Sequence, residues 1–212
     1  MNPKEIYYET LSKTIISHLN KRQMEGYYCP TAKEAVEKAL SFLTPSATVS
    51  YGGSMTLEET GMLNALRSDK TITLLDRSTA KDAAETKKIY HDALSADFYF
   101  MSTNALTKDG KLVNIDGNGN RVAALIYGPE NVILLAGMNK IVSTEEEAVS
   151  RVHQTATPMN CLRLGKKTPC STTGICADCL SPDCICNQTV ITRRSGIPGR
   201  IKVILIGEDF GY

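Results

Sequence analysis

Two groups of residues in this 212-residue chain have the types and spacing for chemistry: a cluster of cysteines and a polar loop that ends in arginine. Of seven cysteines, Cys29 stands alone and reads as a small buried side chain. The others run Cys170-x5-Cys176-x2-Cys179-x4-Cys184-x-Cys186, with Cys161 upstream. Cys176 and Cys179 can point at one ion across a tight turn, as CxxC pairs do, and Gly174 and Pro182 supply bends. Thiolates are soft ligands, which favours Zn²⁺ or an iron–sulfur cluster over Mg²⁺ or Ca²⁺. The spacing does not choose between those two. Five cysteines from Cys170 onward compete for four positions, and in an extended segment Cys184 and Cys186 point opposite ways, so one stays out. Inert thiols or a disulfide are the plainer alternative. His153, just before the lobe, could reach the metal, whereas His18 and His91 read as surface or boundary residues on helices.

The loop is Asn114-Ile-Asp-Gly-Asn-Gly-Asn-Arg121. Gly117 and Gly119 can take positive φ and turn backbone N–H groups toward one point, with Asp116, Asn120 and Arg121 beside it. A guanidinium there pairs with a carboxylate or phosphate. On this reading Arg121→Ala weakens binding of an anion and leaves the fold intact. The alternative is a plain turn with Arg121 in solvent.

Hydrophobic periodicity shows what must carry these residues. Amphipathic spacing predicts a helix from residue 3 to about 23, and Thr31-Ala-Lys-Glu34 caps another that ends near Phe42. Short apolar runs predict strands at 27–29, 47–51, 71–75, 97–103, 122–127, 132–137 and 201–207. Helices are expected at about 56–68, opened by Thr56-Leu-Glu-Glu59, at 79–94, and at 143–153. Glu58 and Glu59 read as first-turn stabilisers. Asp109-Gly110 predicts a hairpin. The alternation implies an α/β fold in three layers, a mostly parallel sheet with helices on both faces. Ligands of such sheets sit beyond the carboxyl ends of the strands. Gly52, Gly53 and Ser54 with Thr56, then Ser102–Asn104, then Gly137-Met-Asn139-Lys140 all fall at such ends and can face one crevice.

Bulk properties narrow the partners. With 42% hydrophobic and 22% charged residues and a net charge of +1, no field from the whole molecule draws nucleic acid or an anionic membrane. No apolar run reaches the ~20 residues needed to span a bilayer, and no leader is apparent, so a cytoplasmic protein is expected. The chain reads as one domain, 1–212, with an irregular cysteine-rich lobe at about 155–200.

The chain resembles the LUD family, the lactate-utilization domain proteins. The resemblance is carried by Gly53–Gly61, Ala96–Gly110, Leu112–Ala123, Gly137–Val142 and Thr168–Asn187, in that order. It implies a fold like the NagB/RpiA/CoA-transferase group and a place in bacterial oxidation of lactate to pyruvate. Larger members carry ferredoxin-type motifs that are missing here. The cluster instead resembles that of the short members, in which the position of Cys184 is often basic. That implies Cys170, Cys176, Cys179 and Cys186 as the ligand set and makes Cys184 a departure. The glutamate nucleophile of CoA transferases has no matching motif.

The expected function is therefore a component of lactate oxidation, with an oxidoreductase role if it is an enzyme. It would bind a small anionic ligand at Gly52–Thr56 and Asn104, with Asp116–Arg121 opposite, and other lactate-utilization subunits would be its partners. A homo-oligomer stays open. No dinucleotide fingerprint follows the first strand, so the electron acceptor is a cluster, a flavin or a partner. The alternatives are a non-catalytic subunit or regulator with a structural zinc lobe, and an enzyme acting on a phosphosugar or CoA ester.

Overall fold

The computed structural model describes residues 2–212. Helix α1 (Pro3–Lys21) opens at Asn2, whose side chain accepts from the Glu5 amide while the Glu5 carboxylate accepts from the Asn2 amide. Strand β1 (Glu25–Cys29), α2 (Ala32–Leu40) and β2 (Thr48–Tyr51) follow. Helix α3 (Met55–Glu59) is capped by Ser54, whose Oγ accepts from the Leu57 amide. Thr56, expected as the cap, lies inside that helix. Gly61, at φ 78°, separates α3 from α4 (Met62–Ser68), a left-handed position that breaks the single helix expected there. Next come β3 (Thr73–Leu75), α5 (Ala83–Asp92), β4 (Phe98–Met101) and the hairpin β5 (Ala105–Thr107) and β6 (Leu112–Asp116). Then follow α6 (Asn120–Tyr127), β7 (Asn131–Gly137), β8 (Ile141–Val142) and α7 (Glu145–Arg151). A π-helical turn, Val152–Ala156, joins α7 to α8 (Thr157–Arg163), and α9 (Pro169–Thr173), β9 (Gln188–Thr192) and β10 (Ile201–Ile206) complete the order.

Six strands form one parallel sheet in the order β1-β10-β7-β4-β2-β3. Its central strands are mostly apolar, as in Phe98–Met101 and residues 132–137, because both faces are covered. Along β7, Val132 and Leu134 join one core with Ile15 and Leu19 of α1 and Leu125 of α6. Ile133 and Leu135 join the other, with Ala35 and Ala39 of α2 and Leu57 and Leu66 beyond β2. Residues of this size, fully buried, contribute about 1.5–3 kcal/mol each. A smaller sheet, β8-β5-β6-β9, packs beside the main one, and its β5–β6 pair is the hairpin expected at Asp109-Gly110.

Two further expectations fail. Val122–Tyr127 is a helix rather than a strand. Val122, Ala124 and Leu125 are buried while Ile126 and Tyr127 are 60% and 91% exposed, a one-sided pattern that no strand of the central sheet shows. Residues after His153 are not yet irregular either, since helix continues through the π turn to Arg163, and β9 gives the lobe a strand.

Candidate functional site

The carboxyl ends of β2, β3 and β4 open into a cleft of about 540 Å³, walled on the far side by the β5–β6 hairpin, the loop before α6, and the cysteine lobe. Gly53, Ser54, Ser102, Asn104, Asp116 and Gly117 line it, as do Asn120, Arg121 and Lys140. The crevice expected from the strand ends is thus formed. Gly52 lies against it, and a Cβ there would come 3.1 Å from both the Arg121 side chain and the Tyr99 hydroxyl. A Cβ on Gly53 would collide with the Arg77 guanidinium. These glycines make room for two guanidinium side chains.

The remaining expected residues stand behind the walls. Thr56 is buried and its hydroxyl donates to the Phe210 carbonyl at 3.2 Å. Asn139 clasps the same segment, accepting from the Phe210 amide at 3.2 Å and donating to the Gly211 carbonyl at 3.1 Å. Gly119 does not line the cleft; its φ of 81° sets the entry of α6.

Arg121 does not sit in solvent. Its guanidinium donates to the carbonyls of Ser102 (3.3 Å) and Ile115 (2.9 Å) and to the side-chain oxygens of Asn114 and Asn104. Its Nε lies 3.5 Å from Asp116. The Asp116 carboxylate in turn accepts from the amides of Asn118, Gly119 and Val122. The glycine loop therefore does gather N–H groups about an anion, and that anion is the chain's own Asp116. Burial lowers the Arg121 pKa.

Lys140 is different. It is 4% exposed, and its Nζ donates to the neutral Ser102 hydroxyl at 3.2 Å, with no ion pair among the described residues. Burial, helped by Arg151 and Arg121 and opposed by Glu59, pulls its pKa down to about 7. The acids lining the cleft are spent, Asp116 on Arg121 and the loop amides, Asp183 on the Lys167 amide. Arg77, Arg163 and Lys166 add positive charge to the walls. The Tyr212 hydroxyl, also on the cleft, is buried without a hydrogen-bond partner among the described residues. Sequence reasoning missed Arg77 and Tyr212. Arg77 follows the end of β3 by two residues, a strand-end position that could have marked it.

All six cysteines of the lobe line a second cavity of about 210 Å³ together with His153. The thiol of Cys176 lies 3.4 Å from His153 Nδ1, and Cys186 donates to the Thr157 hydroxyl at 3.4 Å. Burial pushes the Cys186 thiol up to about 11. Every cysteine is free among the described residues. The donors are of the right kind for a soft metal and they surround one space, but no three of them converge as a ligand set among the described residues. Cys184, Thr157, Ile185 and Asn187 line both cavities and form the wall between them.

The model of the LUD domain matches residues 12–206, and the chain belongs to that family. Among solved structures, a DUF162 family protein from Deinococcus radiodurans covers 94% of this chain and 98% of its own at 12% identity, with a TM-score of 0.52, a likeness of fold. Also similar are eIF2B delta from Chaetomium thermophilum (17% identity, 56% and 50% covered, TM-score 0.37) and ribose 5-phosphate isomerase A from Methanocaldococcus jannaschii (15%, 61% and 66%, TM-score 0.36). No curated protein matches the chain. No helix among the described residues is long and apolar enough to cross a membrane.

Proposed function

We propose that this protein acts in the oxidation of lactate to pyruvate and that the cleft binds the carboxylate of a small 2-hydroxy or 2-oxo acid. Family membership supports the pathway. One observation carries the ligand: Lys140 is a buried amine with no ion pair among the described residues, on a cleft whose own acids are already engaged. Burying a cation without a counter-charge is costly, and an anionic ligand removes that cost. Arg77, held only by a 3.4 Å bond to the Tyr90 hydroxyl and a ring contact with Tyr51, has donors left for a carboxylate. Arg121, expected to grip the anion itself, lines the cleft and also holds the loop and the hairpin.

Calorimetry with lactate, pyruvate and the uncharged lactamide tests this. The acids should bind and lactamide should not, and Arg77→Ala should weaken the acids roughly tenfold, as loss of one charge-assisted hydrogen bond does. Equal heats for lactate and lactamide would refute the carboxylate reading.

The second part of the proposal, a thiolate-bound zinc or iron–sulfur centre on Cys170, Cys176, Cys179 and Cys186, rests on donor chemistry alone, because the thiols do not converge. No catalytic step is drawn through it. A purely structural zinc is favoured to the extent that the lobe is integrated into the fold: β9 pairs with β6, and the Asn187 side chain donates to the Gly117 carbonyl at 2.9 Å. Elemental analysis of anaerobically prepared protein separates the two. Iron with sulfide and visible absorption supports a redox centre, colourless protein with zinc supports a scaffold, and protein with neither removes both.

A further inference from the structure

Lys140 combines features that a plain positive charge would not need. Its side chain is almost wholly enclosed, yet it borders the open cleft. Its Nζ touches a neutral hydroxyl, Ser102 Oγ, and a Cβ placed on Gly211 would stand 3.3 Å from it. The charged groups that face it are two guanidiniums, Arg121 and Arg151, against one carboxylate, Glu59, which is itself occupied by the Gly211 amide. Like charges and low dielectric favour the free amine, whose lone pair is a nucleophile.

We propose that Lys140 forms an imine with the carbonyl carbon of a 2-oxo acid held in the cleft, an inference that rests on the reading of the cleft as a site for such acids. The Nζ lone pair attacks the carbonyl carbon, the π pair moves to oxygen, and a proton passes from nitrogen to that oxygen to give a carbinolamine. The C=N bond then forms as the C–O bond breaks, and the oxygen leaves as water. The sum is one amine and one ketone giving one imine and one water, with no change in oxidation state. Hydrolysis reverses it. The Ser102 hydroxyl, 3.2 Å from Nζ, is positioned to relay the proton.

The test uses the intact wild-type protein with pyruvate and sodium cyanoborohydride, followed by peptide mass spectrometry. A reduced adduct is expected on Lys140, increasing as pH rises through about 7, where the amine loses its proton. Lys140→Arg, which keeps a charge but is not a nucleophile, should show no adduct there. Adducts confined to other lysines overturn the assignment. Absence of any adduct at a pyruvate concentration that calorimetry shows to be saturating overturns the imine and leaves the anion cleft standing. Neither heat nor adduct overturns both.

Discussion

Replacing Arg121 by alanine distinguishes a brace from a ligand-gripping side chain. The guanidinium, 13% exposed, ties α6 to two other pieces of chain: the segment between β4 and β5 through Ser102 and Asn104, and β6 through Asn114, Ile115 and Asp116. Removing one partner of a buried ion pair costs about 3–5 kcal/mol. Each acceptor left dry adds about 1–3 kcal/mol. The terms do not add fully, because Asp116 keeps three amide donors and water can enter from the cleft. A loss of about 4 kcal/mol is expected, a large part of the roughly 5–15 kcal/mol that holds a domain together. Arg121→Lys should lose about 2 kcal/mol, since one ammonium cannot reach acceptors arranged for a planar fork. Urea unfolding followed by circular dichroism reads both. If Arg121→Ala unfolds within about 0.5 kcal/mol of wild type, the range of ordinary surface substitutions, the brace is refuted. The simpler expectation from sequence, that Arg121 serves the ligand and leaves the fold alone, would then stand.

Other perturbations follow from the same contacts. Lys140 ionises near 10.5 when unfolded and near 7 when folded, so between those values the unfolded chain binds more protons and stability rises with pH. Lys140→Met should abolish that rise, giving an advantage of a few kcal/mol below about pH 7 that fades toward about pH 10. A gap that stays constant across this range would contradict the buried amine. Asp76 is pushed up by burial but held well below the usual carboxylate range by hydrogen bonds from Arg67 Nε (2.8 Å), the Tyr51 hydroxyl and Ser78. Its contribution is therefore present above about pH 4 and lost as pH falls further. Asp76→Asn should cost about 2 kcal/mol at neutral pH and flatten the acid limb of the stability profile, and an unchanged limb would remove Asp76 from the account.

The main sheet was legible because its strands carry apolar residues on both faces, a pattern that needs no tertiary information. The cleft was legible for a topological reason: polar residues just after parallel strands must lie at one edge. The segment Val122–Tyr127 was not, because six apolar residues in a row satisfy a strand and one short helix equally well. What decided it was tertiary, namely Asp116 accepting from the Val122 amide and Gly119 supplying the left-handed entry. The role of Arg121 was hidden for a related reason. Its acceptors are mostly backbone carbonyls and amide side chains from separate elements, and no spacing rule records where a carbonyl will point. Lys140 was placed at the cleft by its strand end, but its lack of a counter-ion emerges only when every carboxylate nearby has been assigned a partner.

The two cavities are not independent. Cys184, Ile185 and Asn187 are the wall between them, and a Cβ on Gly117 would meet the Ile185 backbone at 3.2 Å, so the glycine loop and the lobe pack directly. The Asn187 amide also donates to the Asp116 carbonyl at 3.0 Å, which ties the lobe to the residue that anchors Arg121. Any event that moves Cys184 in the smaller cavity also moves backbone that faces the cleft. By linkage, a ligand that favours one position of that wall must in turn favour one state of the thiols. The coupling has a limit set by β9, whose pairing with β6 from Gln188 to Thr192 fixes the far end of the segment. The stretch between α9 and β9 holds Cys176 through Cys186 and every residue of the lobe that the two cavities share except Thr157.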